Sequence, residues 1–431
     1  MKKRYILIIL LLALIMGFRT LSLAKYKFGI SKEVKLSSEK FYANGNILYD
    51  TYVKEDEETL ITNLSLDNYV SNDFNNLDTV FEISIISDIY DLKIGDEISD
   101  DGKMEITVAG NSSNSKNLNL SLVQKEGTSF NNTATVNLNI KTTSPYEKTI
   151  LNKQITIVDE KNLSEHIILK RLVWLSKLKH DGYRYIGINP DNYVCFGTNS
   201  KNECVNDQDK YMYRIIGVFY DSNDVKHTKL IKYKQLKNKS LWFNTDSTAT
   251  WGTSTVKDKI NGTHFLTNTS AYPYLETNSK WYESIILWNY SGLIRASSSD
   301  VFTRVYNSEL EATKYYYKIG LMYLSDIGLS LGERGLNTYV WRNTEYPLIN
   351  SWMHQNNNDT SIDSVEWTMS IYCNGCSHFY ANGITSNGTI DSVRYNVDPH
   401  SSRPVFYLTD SMEYVSGNGT KNNPYIIINN N

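Results

Sequence analysis

The residues of this chain with the clearest chemical potential are its four cysteines, Cys195, Cys204, Cys373 and Cys376, which all lie in the second half of the sequence. An even number of cysteines in an exported chain favours disulfides. The close pairs Cys195–Cys204 and Cys373–Cys376 are the pairings that we expect, because each would staple one local loop. The other connectivities stay open at this point.

Metal or redox chemistry at these cysteines has less support from their spacing. A zinc site usually needs two close pairs of ligands, and only Cys373-Asn-Gly-Cys376 has such a spacing. A redox-active Cys-x-x-Cys pair normally starts a helix, whereas this pair follows the strand-like segment WTMSIYC. We therefore expect no resident cofactor or metal. A metal- or thiol-dependent extracellular enzyme centred on this pair is the alternative.

Other catalytic or calcium-binding sets are weakly supported. No nucleophile elbow or paired acids accompany the histidines, so no catalytic residue is assigned. Calcium needs clustered carboxylate and amide oxygens, which the polar segments 356–359 and 191–192 could offer by composition. Polar loops of this kind are usually only loops, so calcium is possible but unsupported.

Three tryptophans are candidates for ligand binding. Trp341, Trp352 and Trp367 belong to the aromatic-rich second half and could stack on sugar rings. The competing interpretation is that such tryptophans fill the core between loops, and it is the more common outcome.

The N-terminus predicts export. Lys2, Lys3 and Arg4 precede an apolar run over residues 5–18, and Ser22-Leu23-Ala24 supplies small residues before Lys25. This pattern is typical of a secretory signal peptide over residues 1–24, with cleavage between Ala24 and Lys25. An uncleaved N-terminal anchor is the alternative, and either one is the only membrane contact that we expect.

Composition and charge exclude some partners. The 431-residue chain has a formal net charge of −3, and loss of the four basic residues of the signal would leave −7. Without a basic stripe to neutralise phosphates, nucleic acid is not an expected partner. The length favours two folded domains after the signal.

Residues 25–160 have the period-two pattern of half-buried strands. Apolar side chains alternate with polar ones in several short segments, for example Phe81, Ile83 and Ile85, or Val136, Leu138 and Ile140. Turn residues separate these segments, and no helical pattern lies between them. The pattern predicts an all-β sandwich.

Two segments of this region are similar to those of a known protein family. They are the start LAKYKFGISKEVKLSSEKFYANGNILYD and the strand-like segment VNLNIKTTSPYEKTI. Together with the signal, they resemble camelysin-type surface and biofilm-fibre proteins of Gram-positive bacteria. The resemblance implies a surface location and a jelly-roll-like sandwich. It implies fibre assembly only weakly, since a large second domain follows.

Residues 161–182 break the alternation and predict a connecting helix. Asn162 and Glu165 have the spacing of a capping box, and Gly182 supplies a stop. Ile168, Leu172 and Leu175 fall on one stripe.

Residues 183–431 predict a loop-rich α+β domain. This region resembles an exported protein family of Firmicutes and Mollicutes whose activity is not settled. The resemblance is carried by the segments PDNYVCFG, YMYRIIGVF, KIGLMYLSDIG and RPVFYLTDSMEYVSGNGTKNNPYIIIN. That family is thought to be related to the formylglycine-generating-enzyme and C-type-lectin-like folds. The resemblance implies a lectin-like domain and transfers no activity.

The sequence as a whole favours a secreted or surface-held bacterial protein. We expect the lectin-like domain to bind a glycan or a protein ligand without covalent chemistry, with the sandwich as a stalk or assembly module. Besides the enzyme named above, a structural subunit of a surface fibre is an alternative.

Overall fold

The computed structural model describes most of the chain after residue 41. The described residues are 42–43, 49–55, 58–70, 73–74, 77–99, 101–110, 112–170, 172–178, 181–236, 251–261, 283–291, 302–311, 314–332, 348–354, 365–371, 380–394 and 400–429. The chain divides into two compact units, Met1–Asp159 and Glu160–Asn431. The segment 1–24 and its cleavage point lie outside the described residues.

The first unit is built from strands over its described residues. They are β1 (Tyr42–Ala43), β2 (Thr51–Val53), β3 (Glu58–Asp67), β4 (Tyr69–Val70), β5 (Asp73–Phe74), β6 (Thr79–Ile86), β7 (Tyr90–Ile94), β8 (Glu97–Ser99), β9 (Lys103–Val108), β10 (Ser115–Gln124), β11 (Thr133–Ser144) and β12 (Lys148–Val158). Ten of them form two five-stranded sheets, with the orders β1-β3-β10-β7-β8 and β2-β12-β11-β6-β9.

These two sheets share one apolar core, which confirms the sandwich. The alternation along β6 buries Phe81 and Ile83 completely. They join a cluster with Leu92 and Leu120 of the other sheet. Burial of one face of each sheet fixes the register, because a slip by one residue would expose the apolar set. The jelly-roll-like strand connection stays a prediction.

The second unit combines strands with short helices. Its strands are β13 (Val173–Leu175), β14 (Tyr183–Tyr185), β15 (Tyr193–Cys195), β16 (Met212–Tyr220), β17 (Lys226–Lys232), β18 (Trp288–Ser291), β19 (Lys314–Tyr317), β20 (Ile319–Gly320), β21 (Val365–Ile371), β22 (Tyr380–Thr385), β23 (Ile390–Arg394), β24 (Val405–Tyr407), β25 (Met412–Ser416) and β26 (Tyr425–Asn429). Its helices are α1 (Leu163–Lys170), α2 (Lys201–Asn206), α3 (Gln208–Tyr211), α4 (Thr255–Asn261), α5 (Phe302–Glu311) and α6 (Leu324–Leu329), with 3-10 turns at Trp251–Thr253 and Leu348–Asn350.

A nine-stranded sheet organises this unit. Its main path is β20-β24-β17-β16-β15-β26-β25, and β14 pairs with both β13 and β16. The central strand β16 is buried on both faces, which explains its nearly continuous apolar sequence. Two smaller sheets, β18-β19 and β21-β22-β23, complete the unit. The mixed α+β character agrees with the sequence prediction, and the lectin-like topology stays a prediction.

The predicted connecting helix over 161–182 is too long. Asn162 does cap α1, since its Oδ1 accepts a hydrogen bond from the Glu165 backbone N–H at 3.1 Å. The helix ends at Lys170, however, and Val173–Leu175 forms strand β13 against β14. Strand pairing outweighs the weak helical stripe in this segment, whose Val173 and Trp174 favour strands.

Gly182 has a role other than ending a helix. A Cβ at this position would overlap the carbonyl oxygen of Val218 in β16. Gly217 is in the reciprocal position, where a Cβ would overlap the carbonyl oxygen of Tyr183. The two glycines therefore allow β14 to lie against β16.

No helix among the described residues has the length and apolar character needed to cross a lipid bilayer.

Candidate functional site

One of the two predicted disulfides is present. Cys195 of β15 and Cys204 of α2 are bonded, with their Cα atoms 5.8 Å apart, and both residues are fully buried. The two cysteines belong to a small apolar cluster with Tyr193 and Met212, so the bond ties the loop after β15 to that cluster. Cys373 and Cys376 lie outside the described residues.

The structure does not place the described tryptophan candidates where a sugar could reach them. Trp352 is 4 % exposed, and its Nε1–H donates to the carbonyl oxygen of Tyr185 at 2.9 Å. Trp367 is fully buried in the main core beside His400. Both are core residues, because the surrounding chain already covers their rings. Trp341 lies outside the described residues.

Of the calcium candidates, Asp191 is exposed and Asn192 has a structural role. Asn192 is buried, its Nδ2 donates to the Ile215 carbonyl at 2.8 Å, and its Oδ1 accepts from Arg214 Nε at 2.7 Å. Its amide is therefore occupied in holding Arg214. The segment 356–359 lies outside the described residues. Over the described ranges, no three histidine, cysteine, aspartate or glutamate side chains are grouped for a metal ion.

Four charged side chains meet inside the second unit, and we call Asp181, Arg184, Lys229 and Asp326 the buried ionic cluster. Arg184 donates from Nε and Nη2 to Asp181 at 2.9 Å and from Nη1 to Asp326 Oδ1 at 2.9 Å. Lys229 Nζ donates to Asp326 Oδ2 at 2.6 Å. All four side chains are at most 3 % exposed. Two positive and two negative charges thus balance within the cluster.

Burial and charge pairing oppose each other in this cluster. Burial alone would raise the pKa of Asp326, but Lys229 and Arg184 outweigh it and hold that pKa below its ordinary value. For Lys229, burial lowers the pKa, and Asp326 offsets only part of the effect. The cluster therefore keeps Asp326 ionised while it weakens the hold of Lys229 on its proton.

Glu309 of α5 lies close to this cluster. Its Oε1 accepts hydrogen bonds from Ser370 Oγ at 2.9 Å and from the Ser325 backbone N–H at 3.4 Å. Burial raises the pKa of this carboxyl to about 7, and the nearby Asp326 carboxylate adds to the shift. Glu309 is consequently protonated through much of the range below neutral pH.

Two further arginines hold the segment 351–354. Arg403 pairs with Glu366 through Nε at 2.6 Å, and its Nη2 also donates to the Met353 carbonyl. Arg214 Nη1 donates to the neighbouring carbonyl, that of Trp352, at 3.3 Å. The carbonyl groups of a connecting segment are thereby satisfied by charged donors.

Arg214 differs from the other buried arginines because its partners are neutral. Its guanidinium lies between the rings of Tyr193 and Trp352, at 4.3 and 4.4 Å from their centroids. Besides Asn192 and Trp352, it donates to the Pro190 carbonyl at 3.1 Å. No carboxylate in the described part of the chain forms an ion pair with it. Burial lowers its pKa to about 10, because nothing nearby compensates fully for lost hydration.

A patch of aromatic and polar side chains lies next to Arg214, and we call Asn189, Tyr193, Tyr233 and Lys421 the Tyr193 surface. The Tyr193 hydroxyl donates to Asn189 Oδ1 at 3.5 Å, and the Tyr193 and Tyr233 rings meet edge to face at 5.5 Å. Lys421 Nζ lies 5.2 Å from the centre of the Tyr233 ring. Asn189 and Lys421 are exposed, so the patch reaches solvent. Cation, aromatic ring and amide together suit a polar ligand with negative charge.

Sequence reasoning missed both the buried ionic cluster and Arg214. The available signal was a charged residue inside an apolar strand, as in MYRIIGVFY for Arg214 and HTKLIK for Lys229. Such a residue is buried only with a partner or a ligand. The partners themselves are far away in sequence, for example 142 positions between Arg184 and Asp326.

Comparison with known proteins gives weak structural likeness only. No family model matches the chain, and no curated protein matches it. The CsuC–CsuE chaperone–tip adhesion subunit complex of Acinetobacter baumannii Csu pili has a TM-score of 0.19 at 10 % identity, covering 44 % of this chain and 71 % of that chain.

Two further solved structures give similar values. The E. coli chaperone DraB has a TM-score of 0.20 at 8 % identity, covering 44 % of this chain and 90 % of its own. The collagen-binding subdomain ACE19 of the Enterococcus faecalis surface protein ACE has a TM-score of 0.16 at 11 % identity, covering 28 % and 97 %. TM-scores this low carry no argument about function.

Proposed function

We propose that this chain is an exported, surface-held protein whose second unit binds a ligand without covalent chemistry. Residues 1–24 deliver it across the membrane, the sandwich serves as a stalk or assembly module, and the second unit presents the Tyr193 surface. The ligand is a glycan or a protein outside the cell. We include in this proposal a C-type-lectin-like topology for residues 183–431, which the mixture of one large sheet and short helices supports.

The disulfide bond of the second unit supports export. The Cys195–Cys204 bond is buried next to β15, and structural disulfides of this kind persist in oxidising compartments. The basic and apolar start of the sequence supports the same conclusion.

The observation that carries ligand binding is the Arg214 guanidinium beneath the Tyr193 surface, whose hydrogen-bond partners in the described part of the chain are all neutral. A buried cation with neutral partners is stabilised when a negative group approaches it. The neighbouring Lys421 ammonium would add to this attraction, and the exposed Asn189 amide offers hydrogen bonds. A carboxylate-bearing ligand that also presents a face to the Tyr233 ring satisfies all of these groups.

Binding of the full mature chain to a panel of neutral and acidic glycans and extracellular-matrix proteins tests the proposal. We expect acidic members to bind, and we expect Lys421→Ala and Tyr233→Ala each to weaken binding about tenfold, equivalent to ~1.4 kcal/mol. Lys116→Ala is the matched control, since Lys116 is an exposed lysine in the first unit. It should bind like the wild type.

Two outcomes would contradict the proposed site. One is that the folded wild-type chain binds no member of the panel. The other is binding that is equally strong in the Lys421→Ala and Tyr233→Ala variants, which would place the ligand elsewhere.

A further inference from the structure

The closest charge pair of the buried ionic cluster joins two distant parts of the second unit. Lys229 is on β17, Asp326 is in the first turn of α6, and 97 positions separate them in the sequence. Lys229 Nζ lies 2.6 Å from Asp326 Oδ2, and the two side chains are 1 % and 0 % exposed. An amine and a carboxyl are thus held in contact, and the chain shields both from bulk water.

The lysine is enclosed by aromatic rings. Its Nζ lies 4.6 Å from the centre of the Tyr323 ring, 5.2 Å from that of Tyr407 and 5.5 Å from that of Phe219. Surroundings of low polarity disfavour separated charges, and burial lowers the pKa of Lys229 accordingly. Transfer of one proton from Nζ to the carboxyl converts the pair into a neutral amine and a neutral acid, which are the reactive forms for amide formation. Lys229 and Arg184 hold the pKa of Asp326 below its ordinary value, so this neutral pair is the minor form through which the condensation passes.

The groups around Asp326 suit attack at its Cγ. Arg184 Nη1 donates to Oδ1 at 2.9 Å, where negative charge would develop in a tetrahedral intermediate. The Tyr323 backbone N–H donates to Oδ2 at 2.9 Å and fixes the orientation of the carboxyl group. The neighbouring Glu309 is largely uncharged below neutral pH, so it does not add a second anion that would hold Lys229 as an ammonium ion.

We propose that Lys229 and Asp326 condense into an intramolecular isopeptide bond. The Nζ–Cγ bond forms and the Cγ–Oδ2 bond breaks. The ammonium group gives up two protons, which leave with Oδ2 as one water molecule, and Nζ keeps the third as the amide hydrogen. No oxidant, reductant or other reactant takes part, and the cation and anion disappear together.

The second carboxylate of the cluster, that of Asp181, balances the charge of Arg184 after condensation. After condensation Asp326 is a neutral amide carbonyl, which still accepts from Arg184. Arg184 keeps Asp181 as an ionised partner through both Nε and Nη2. The product therefore contains one positive and one negative charge, and no charge is left unpaired in the core.

Such a bond would tie β17 to α6 across the unit. It closes a loop of 97 positions, which restricts the unfolded chain far more than the short loop of the disulfide does. The same pair as an ordinary ion pair would give no such covalent closure.

Mass spectrometry of the folded full-length chain distinguishes the isopeptide bond from an ordinary ion pair between Lys229 and Asp326. After reduction of the disulfide, we expect an intact mass lower than that calculated from the sequence by one water molecule. Digestion with trypsin should assign the loss to a branched peptide that joins residues 227–232 to residues 319–334, with no cleavage after Lys229.

Lys229→Arg keeps the positive charge but has no primary amine, so this variant should have its full calculated mass. Lys226→Arg, on the same strand, is the matched control and should keep the loss of one water molecule. A folded wild-type chain with its full calculated mass, or with the loss mapped to other peptides, would overturn the proposal. Because the wild type alone gives this answer, the test stands even if Lys229→Arg does not fold.

Discussion

At the scale of single residues, the second unit accepts buried ionisable groups where a neighbour of opposite charge or several hydrogen bonds compensate for lost hydration. Arg403 has Glu366, and Lys229 shares Asp326 with Arg184. Within the described residues, the hydrogen-bond partners of Arg214 are all neutral, and we therefore propose its surroundings as the place for an anionic group from outside. The sequence shows only that a charged residue interrupts an apolar strand. It does not show the partners of that residue, because they come from distant segments of the chain.

Glu309 gives a pH-dependence that can be measured at this scale. Its pKa in the folded protein is about 7, against an ordinary value of 4.5, so the folded state holds the proton more tightly than the unfolded chain does. Its contribution to stability is therefore complete below about pH 4.5 and is lost as the pH rises through about 7. A shift of this size corresponds to about 3 kcal/mol.

Urea unfolding of the wild type and of Glu309→Gln at pH 5 and pH 8 checks this expectation. The amide side chain of the variant cannot ionise, so the variant should lose about 2–3 kcal/mol less than the wild type between the two pH values, since part of the effect already lies below pH 5. Glu311→Gln is the control, because Glu311 is exposed on the same helix. Equal pH-dependence in the wild type and Glu309→Gln would show that Glu309 is not the group responsible.

At the scale of elements, local sequence periodicity predicts the strands of the first unit but not all elements of the second unit. Phe81 and Val136 point into the sandwich as predicted, since one face of each strand is buried and the other is wet. The apolar stripe predicts that the helix continues through 171–182, whereas Val173–Leu175 pairs with β14. Local periodicity cannot detect a pairing partner, and this pairing decides the structure of the segment.

The contact between β14 and β16 leads to a prediction about Gly217. Gly217→Ala should destabilise the protein by about 1–3 kcal/mol, since the added methyl group overlaps the Tyr183 carbonyl oxygen and forces the strands apart. Urea unfolding measures the effect. Gly95→Asn is the control, because Gly95 has φ +60° with open space around it, and asparagine accepts that conformation. Similar stability of both variants would contradict the close approach.

At the scale of the whole molecule, the sequence predicted two domains, a β-sandwich and one local disulfide within the described residues. The sandwich and the Cys195–Cys204 bond are confirmed. Of the three tryptophans that are candidates for ligand binding by composition, Trp352 and Trp367 are core residues, which is the more common outcome for such tryptophans. Composition identifies aromatic residues but not their exposure, which depends on the packing of segments far apart in the chain.

The location and covalent state of the native protein in its own cells test the proposed export directly. Fractionation, N-terminal sequencing and thiol alkylation under denaturing, non-reducing conditions should find it at the cell surface or in the medium, with Cys195 and Cys204 protected from alkylation. We expect an N-terminus at Lys25, or an intact N-terminus held in the membrane. Full-length protein in the cytoplasm with both thiols reactive would contradict the proposed export.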